Sequence, residues 1–275
     1  VDETAWWSPG KNSIQAQGDV TTVHLSASVD LRMIVVHEDS AFIVITQPDH
    51  ARLSAEILSL WIDDGLPDHP RRQDLLFAVR EHDNGWREAD AAPRYNAIAQ
   101  RPHDFRSIPS IDHVEIWQRG IERFSESHPH AALLIAFHAE SLYGKATEVP
   151  EDWHRYLSRL EALREDWYDE AAVDPNLIEE DYRFLETVDL LSLAICNRWN
   201  GPLETALVSA SIAESTLHLS PFPLAGATTL QIPCRRIPDR PYHGDADLGG
   251  ELATARWGEW AIRISPGPIS PRIEP

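Results

Sequence analysis

The stretch MIVVHEDSAFIVITQPDH, Met33 to His50, changes its hydrophobic period part-way along. Met33 to Val36 and Phe42 to Ile45 are rich in β-branched and aromatic residues, and the polar run His37 to Ala41 between them has the character of a turn, so this part reads as a hairpin. At Thr46 the pattern switches. Thr46 with Asp49 three residues later, and Pro48 in the first turn, make a helix start, after which Leu53, Ile57, Leu60 and Trp61 recur at helical spacing. A small β element that feeds a helical body is the first reading of the fold.

Working outward, the helical body continues. A second helix spans roughly Pro70 to Asp83, with Leu75, Val79 and His82 on one stripe, and Val114, Trp117, Ile121 and Phe124 mark a third. Pro129 to Tyr143 forms a fourth, ended by Gly144. A fifth, Glu151 to Ala172, carries Trp153, Tyr156, Leu157, Leu160, Leu163 and Trp167. A sixth, Pro175 to Trp199, carries Tyr182, Leu185, Val188, Ser192 and Ile195. The loop from Ala91 to Ser110 is longer than most connections, as a lid or pocket wall would be. Beyond Pro202 the chain turns proline-rich, and Thr229 to Ile232 and Trp260 to Ile264 read as short strands that pair with the hairpin. The expected fold is therefore mainly α: an all-helical bundle of about six principal helices, with a small sheet from the N-terminal hairpin and the C-terminal strands. Residues 1–32 lack a period and read as a flexible N-terminal extension, leaving 33–275 as a single domain. The chain's 275 residues, 43% of them hydrophobic with ten tryptophans, are enough for one substantial core.

Composition narrows the function. The formal charge is −20 and lysine occurs only at Lys11 and Lys145, which argues against a nucleic-acid partner. There is no run of about 18 apolar residues to span a membrane, and the N-terminus has no signal-peptide pattern. With only Cys196 and Cys234, a disulfide framework is not expected, and the reading is a cytoplasmic protein. Acidity leaves room for a small phosphorylated molecule, since a bound cation and arginines such as Arg80 and Arg87 reverse the field locally.

Four fragments carry the candidate chemistry: QPDH ending at His50, EHDNGW with His82 and Asp83, AFHAES with His138, and VDLLS with Asp189. Each lies on an apolar stripe: His138 four residues after Leu134, Asp189 four after Leu185, Asp83 four after Val79. A lone histidine on such a stripe is ordinarily a core residue, but a carboxylate in VDLLSLAIC is different. Burying it unpaired costs several kcal/mol, so Asp189 needs a metal or an arginine, Arg80 or Arg198. Imidazole nitrogen and carboxylate oxygen together suit Mn, Fe, Co, Ni or Zn, and His50, His82, Asp83, His138 and Asp189 are read as ligands of one or two such ions. Asp83 is the candidate catalytic residue, binding metal and orienting water, with Glu81 and Glu140 as supporting bases. Trp86 is read as packing, and His103, His113, His128 and His130 stay outside the ligand set. No Gly-x-Ser-x-Gly elbow or Gly-x-x-x-x-Gly-Lys loop occurs.

The order of a His, an adjacent His-Asp pair within His82-Asp83-Asn84-Gly85, and a distant Asp resembles that of the HD-domain metal-dependent phosphohydrolases, although Trp86 stands where many of those enzymes carry Lys. The chain also resembles an uncharacterised bacterial family of unknown function in the segments Ile45 to Ala51, His82 to Trp86, Leu134 to Tyr143 and Asp189 to Leu193. The first resemblance implies a helical fold and a metal-dependent phosphohydrolase acting on a small phosphoester or nucleotide. The alternatives are a di-iron, oxygenase-like redox enzyme and a non-catalytic domain for metal or ligand binding or protein interaction.

Overall fold

The computed structural model describes residues 33–105, 110–143, 151–171 and 175–267; the segment 1–32 lies outside them. Strands β1 (Ile34–Glu38) and β2 (Ala41–Ile45) form the expected hairpin, turning through Asp39 at φ 54°. Then come α1 (Gln47–Ser59), α2 (Arg72–Glu81), a single 3-10 turn (Asn84–Trp86) and α3 (Arg87–Ala91). A two-stranded ribbon of β3 (Tyr95–Asn96) and β4 (Arg101–Pro102) occupies the segment expected to be a lid. The longer helices follow: α4 (Ser110–Glu122), α5 (Pro129–Tyr143), α6 (Glu151–Ala171) and α7 (Pro175–Cys196). The chain closes with β5 (Gly201–Glu204), β6 (Ser209–Ala213), β7 (Thr216–Ser220), β8 (Thr228–Pro238), α8 (Asp245–Thr254) and β9 (Trp257–Pro266).

The expectation of a mainly α, all-helical bundle with a small sheet is overturned. The strands form one seven-stranded mixed sheet in the order β1-β2-β8-β9-β7-β6-β5, so the fold is α/β. Neighbouring strands are antiparallel except β7 and β9, which run parallel. The hairpin does pair with the C-terminal strands, through β2 and β8, but β8 (11 residues) and β9 (10 residues) are at least twice the expected length, and three further strands of the sheet, β5 to β7, were not expected. The β6–β7 turn explains part of the miss. Its residues Glu214 and Ser215 have φ 48° and 63° without the glycine or asparagine that normally marks such a turn. Pro233 inside β8 also reads as a strand breaker yet pairs with Glu259.

On one face of the sheet, Ile232, Ile262 and Ile264 join a single core cluster with Leu53 and Ile57 of α1, Val79 of α2, Leu134 of α5 and Leu185 and Val188 of α7. The other face buries Val35, Phe42, Val44 and Ile237 under Leu248 and Leu252 of α8. A separate cluster joins α4, α5 and α6 through Trp117, Ile121, Ile135, Trp153, Tyr156 and Leu160.

Two polar devices lock the helices. In the 3-10 turn, Asn84 Nδ2 donates to the carbonyls of Glu81 and Gly120 at 2.8 and 2.9 Å. Arg123 donates to the Asn84 carbonyl and Oδ1, and Arg119 to the Gly85 carbonyl. Gly85 lies so close to α4 that a Cβ there would stand 2.0 Å from the Ile116 carbonyl oxygen. The second device is Asp181 of α7, fully buried. It takes two bonds from Arg71 at 3.0 and 3.1 Å and faces His69 at 2.9 Å and His130 at 2.8 Å, tying α7 to the start of α2 and of α5.

Gly85→Ala should therefore destabilise the protein by about 3 kcal/mol in chemical denaturation, as overpacking does. Gly226→Ala, where a Cβ meets nothing within 4 Å, should stay within about 0.5 kcal/mol of wild type. Equal losses at the two positions would contradict the close approach. Asp181→Ala should cost about 3 kcal/mol, because it leaves the half-buried Arg71 guanidinium without its carboxylate and removes the acceptor facing His69 and His130; a loss below about 1 kcal/mol would mean that the network contributes little.

Candidate metal centre

The local folding of four helices delivers the site. Thr46 caps α1, its Oγ1 accepting from the Asp49 N–H at 3.2 Å, and the Gln47 N–H donates to the buried Asp90 carboxylate at 2.8 Å. This fixes the first turn of α1, which carries His50. His82 is the C-cap of α2, its backbone still in the helical region. At Asp83 the backbone leaves the helix (φ −102°, ψ 20°) and enters the turn latched to α4, so two adjacent side chains that a helix would spread apart face one place. His138 comes from α5 and Asp189 from α7.

All five expected ligands converge, and all are buried. His50 Nε2 lies 2.9 Å from Asp189 Oδ1 and 3.5 Å from Asp83 Oδ2. His82 Nε2 lies 3.3 Å from the first and 3.5 Å from the second. His138 Nε2 stands further off, 3.8 Å from Asp189 Oδ2. The donors fall into two overlapping triads, His50/His82/Asp83 and His82/His138/Asp189, each with its atoms within 4.8 Å of one another. Despite these distances, among the described residues neither His50 Nε2 nor His82 Nε2 is aligned with a hydrogen-bond partner. Buried polar atoms are nearly always paired. Two imidazole nitrogens and two carboxylates aimed at a common centre, rather than squarely at one another, fit a divalent transition metal.

The far side of each histidine is held. His82 Nδ1 bonds the Val79 carbonyl at 2.7 Å, so Nδ1 carries the proton and Nε2 presents the lone pair when the ring is neutral. His50 Nδ1 meets Ser192 Oγ at 2.5 Å; that hydroxyl, one turn beyond Asp189, also donates to the Asp189 carbonyl and touches Ser54 Oγ at 2.7 Å. His138 Nδ1 faces the Tyr182 hydroxyl at 3.2 Å. The Trp86 indole N–H is bonded to the Asp83 carboxylate. Groups of this kind orient metal ligands.

Burial and the neighbouring charges act against one another in the cluster. Burial alone would raise Asp189, but the close approach of His50 and His82 and the charges of His82 and His138 hold its carboxyl well below the usual range. Burial pushes Asp83 up; His82 and His50 oppose this while Asp189 adds to it. Burial would lower His82, yet Asp83 and Asp189 together raise it to about 9. Burial pushes His138 down to about 3, helped by the charges of His82 and His50, so its ring is neutral.

The other candidates lie elsewhere. Glu81 pairs with Arg87 and Arg80, and Glu140 with Arg164. Arg198, a possible partner for Asp189, binds Glu38 at 2.6 Å and stacks over Trp260. His130 belongs to the Asp181 network and His128 stacks on Phe77, while His113 packs edge-on to Trp86. Sequence reasoning missed the orienting roles of Trp86, Ser192 and Tyr182. Ser192 offered a signal, three residues after Asp189 on the same helix face; Trp86 and Tyr182 read as packing.

Among the described residues no helix is long and apolar enough to cross a membrane. No curated protein and no solved structure matches the chain. A family model does match, over residues 33–239, from the first strand to the end of β8. The chain therefore belongs to the family described as Protein of unknown function (DUF3891).

Proposed function

We propose that this chain is a metal-dependent phosphohydrolase acting on a small phosphoester or nucleotide. The observation that carries the reading is the pair of buried, unaligned Nε2 atoms of His50 and His82 facing Asp83 and Asp189. The ligand order His, His-Asp, Asp, which resembles that of the HD-domain phosphohydrolases, supports the choice of reaction. His50, His82, Asp83 and Asp189 would hold the ion, with His138 beside them. When bound, a Mn, Fe, Co, Ni or Zn ion supplies a Lewis acid for water and for a phosphoryl oxygen.

The chain's own residues do the rest. Asp83, its carboxylate oriented by the Trp86 indole, positions the attacking water and accepts its hydrogen bond. The Val79 carbonyl and Ser192 hydroxyl keep the His82 and His50 rings from turning, so that their Nε2 atoms stay directed inward. The buried Trp117 ring packs edge-on 5.5 Å from the His138 ring and helps to hold it in place.

Protein purified without chelator and dialysed against Mn, Fe, Co, Ni or Zn should bind metal at micromolar concentration. It should also hydrolyse members of a phosphoester panel with at least one of these metals. Asp189→Asn, nearly equal in volume, should weaken metal binding about tenfold or more and lower activity in parallel; lost thermal stability with unchanged metal content would contradict a ligand role. Metal binding without turnover of any phosphoester would leave a binding domain, and iron-dependent oxygen consumption would favour the redox alternative.

Affinity should also depend on pH in a definite direction. Metal-free His82 holds its proton up to about pH 9, and a metal needs the neutral ring. Apparent affinity should thus rise by about tenfold per pH unit from 6 to 8 and level off near 9, with a proton released on binding. Calorimetry in buffers of different ionisation enthalpy reads that proton, and a pH-independent affinity would contradict the account.

A further inference from the structure

Four of the five converging donors form a closed group, and the fifth stands outside it. His50 Nε2, His82 Nε2, Asp83 Oδ2 and Asp189 Oδ1 are linked by separations of 2.9, 3.3, 3.5 and 3.5 Å. Two atoms each about 2.1 Å from one ion stand about 3.0 Å apart at a right angle and about 3.4 Å apart in a tetrahedron. Each of these four His–Asp separations therefore matches that of two neighbouring ligands on a single ion. His138 Nε2 does not share it: its 3.8 Å approach is to the other oxygen of Asp189.

The two overlapping triads do not amount to two metal positions. Both contain His82. An imidazole nitrogen has one lone pair and serves one ion, and the second nitrogen of His82 is committed to the Val79 carbonyl. His138, meanwhile, is held in one orientation. Its ring is wedged edge-on between His82 at 5.3 Å and Trp117 at 5.5 Å, and its Nδ1 faces the Tyr182 hydroxyl. Where that hydroxyl is the donor to Nδ1, the neutral ring carries its proton on Nε2, which then acts as a hydrogen-bond donor. A buried donor next to, but outside, a four-ligand group suits an anionic oxygen bound beside the ion.

We infer that the centre takes one ion on His50, His82, Asp83 and Asp189, and that His138 is a substrate-binding residue whose Nε2–H donates to a phosphoryl oxygen. This rests on the phosphohydrolase reading and departs from the sequence expectation that His138 is a ligand. Tyr182 is then a positioning residue that acts through His138.

The test uses cobalt(II)-loaded full-length protein, with metal-to-chain ratio, visible spectrum and inorganic phosphate binding as readouts. Wild type and His138→Phe, which keeps a buried ring, should each bind one equivalent and give the same spectrum without phosphate. Phosphate binding should be weaker by about tenfold or more in His138→Phe, the loss expected for a hydrogen bond to a charged group. Tyr182→Phe should weaken phosphate binding less, with one equivalent of metal retained. Should His138→Phe fail to fold by circular dichroism, Tyr182→Phe decides on the same readouts. Two equivalents in wild type falling to one in His138→Phe, loss of the single equivalent, or equal phosphate affinities would each overturn the inference. Wild type that binds no cobalt would instead sink the metal centre itself, a result distinct from any of these.

Discussion

A carboxylate inside the apolar run of α7 is the constraint around which the helices are arranged. Asp189 is flanked by Val188 and Leu191, both fully buried, and an ionised group there must be matched by positive charge. Among the described residues the two arginine candidates are engaged elsewhere: Arg198 and Arg80 are turned to Glu38 and Glu81. The partners are three imidazoles and a second carboxylate, Asp83, which adds to the burden rather than relieving it. Asp83 and Asp189 together raise the His82 imidazole above the usual histidine range against the effect of burial. A divalent cation supplies more positive charge at shorter range than a proton on His82, and this is the physical reason for reading the cluster as a metal centre.

The rest of the helical layer serves this arrangement. The latch of Asn84 and Gly85 on α4 makes the backbone break at Asp83, without which His82 and Asp83 would diverge. The Asp181 network fixes the starts of α2 and α5 against α7, and these are the helices that carry His82, His138 and Asp189. The sheet contributes none of the five donors. It backs α1 and α7 through Ile232, Ile262 and Ile264, and so holds His50 and Asp189 at a set separation.

The site was more legible in the sequence than the fold. His138 and Asp189 sit four residues after Leu134 and Leu185, and that spacing alone turns them inward, because residues four apart share a helix face. Helix α5 was read to its ends, since Pro129 opens it and an unbroken apolar run fills it. The sheet was harder to see. In β6 and β7 only Ala210, Leu217 and Leu219 are buried, and short strands joined by a non-glycine turn leave little periodic signal. Helix α8 contains Gly249 and Gly250, poor helix formers, and is held by packing of Leu248 and Leu252 on the sheet rather than by propensity. Trp86 was invisible as an orienting group because nothing in the sequence distinguishes an indole that packs from one that packs and also donates to a carboxylate.

X-ray diffraction from crystals of the metal-loaded protein, with data collected at the absorption edge of the bound metal, tests the central claim most directly. The account predicts an anomalous peak coordinated by His50, His82, Asp83 and Asp189, with ligand distances of about 2.0 to 2.3 Å. Fully loaded crystals with no peak among these residues, or with the peak elsewhere on the chain, would contradict it.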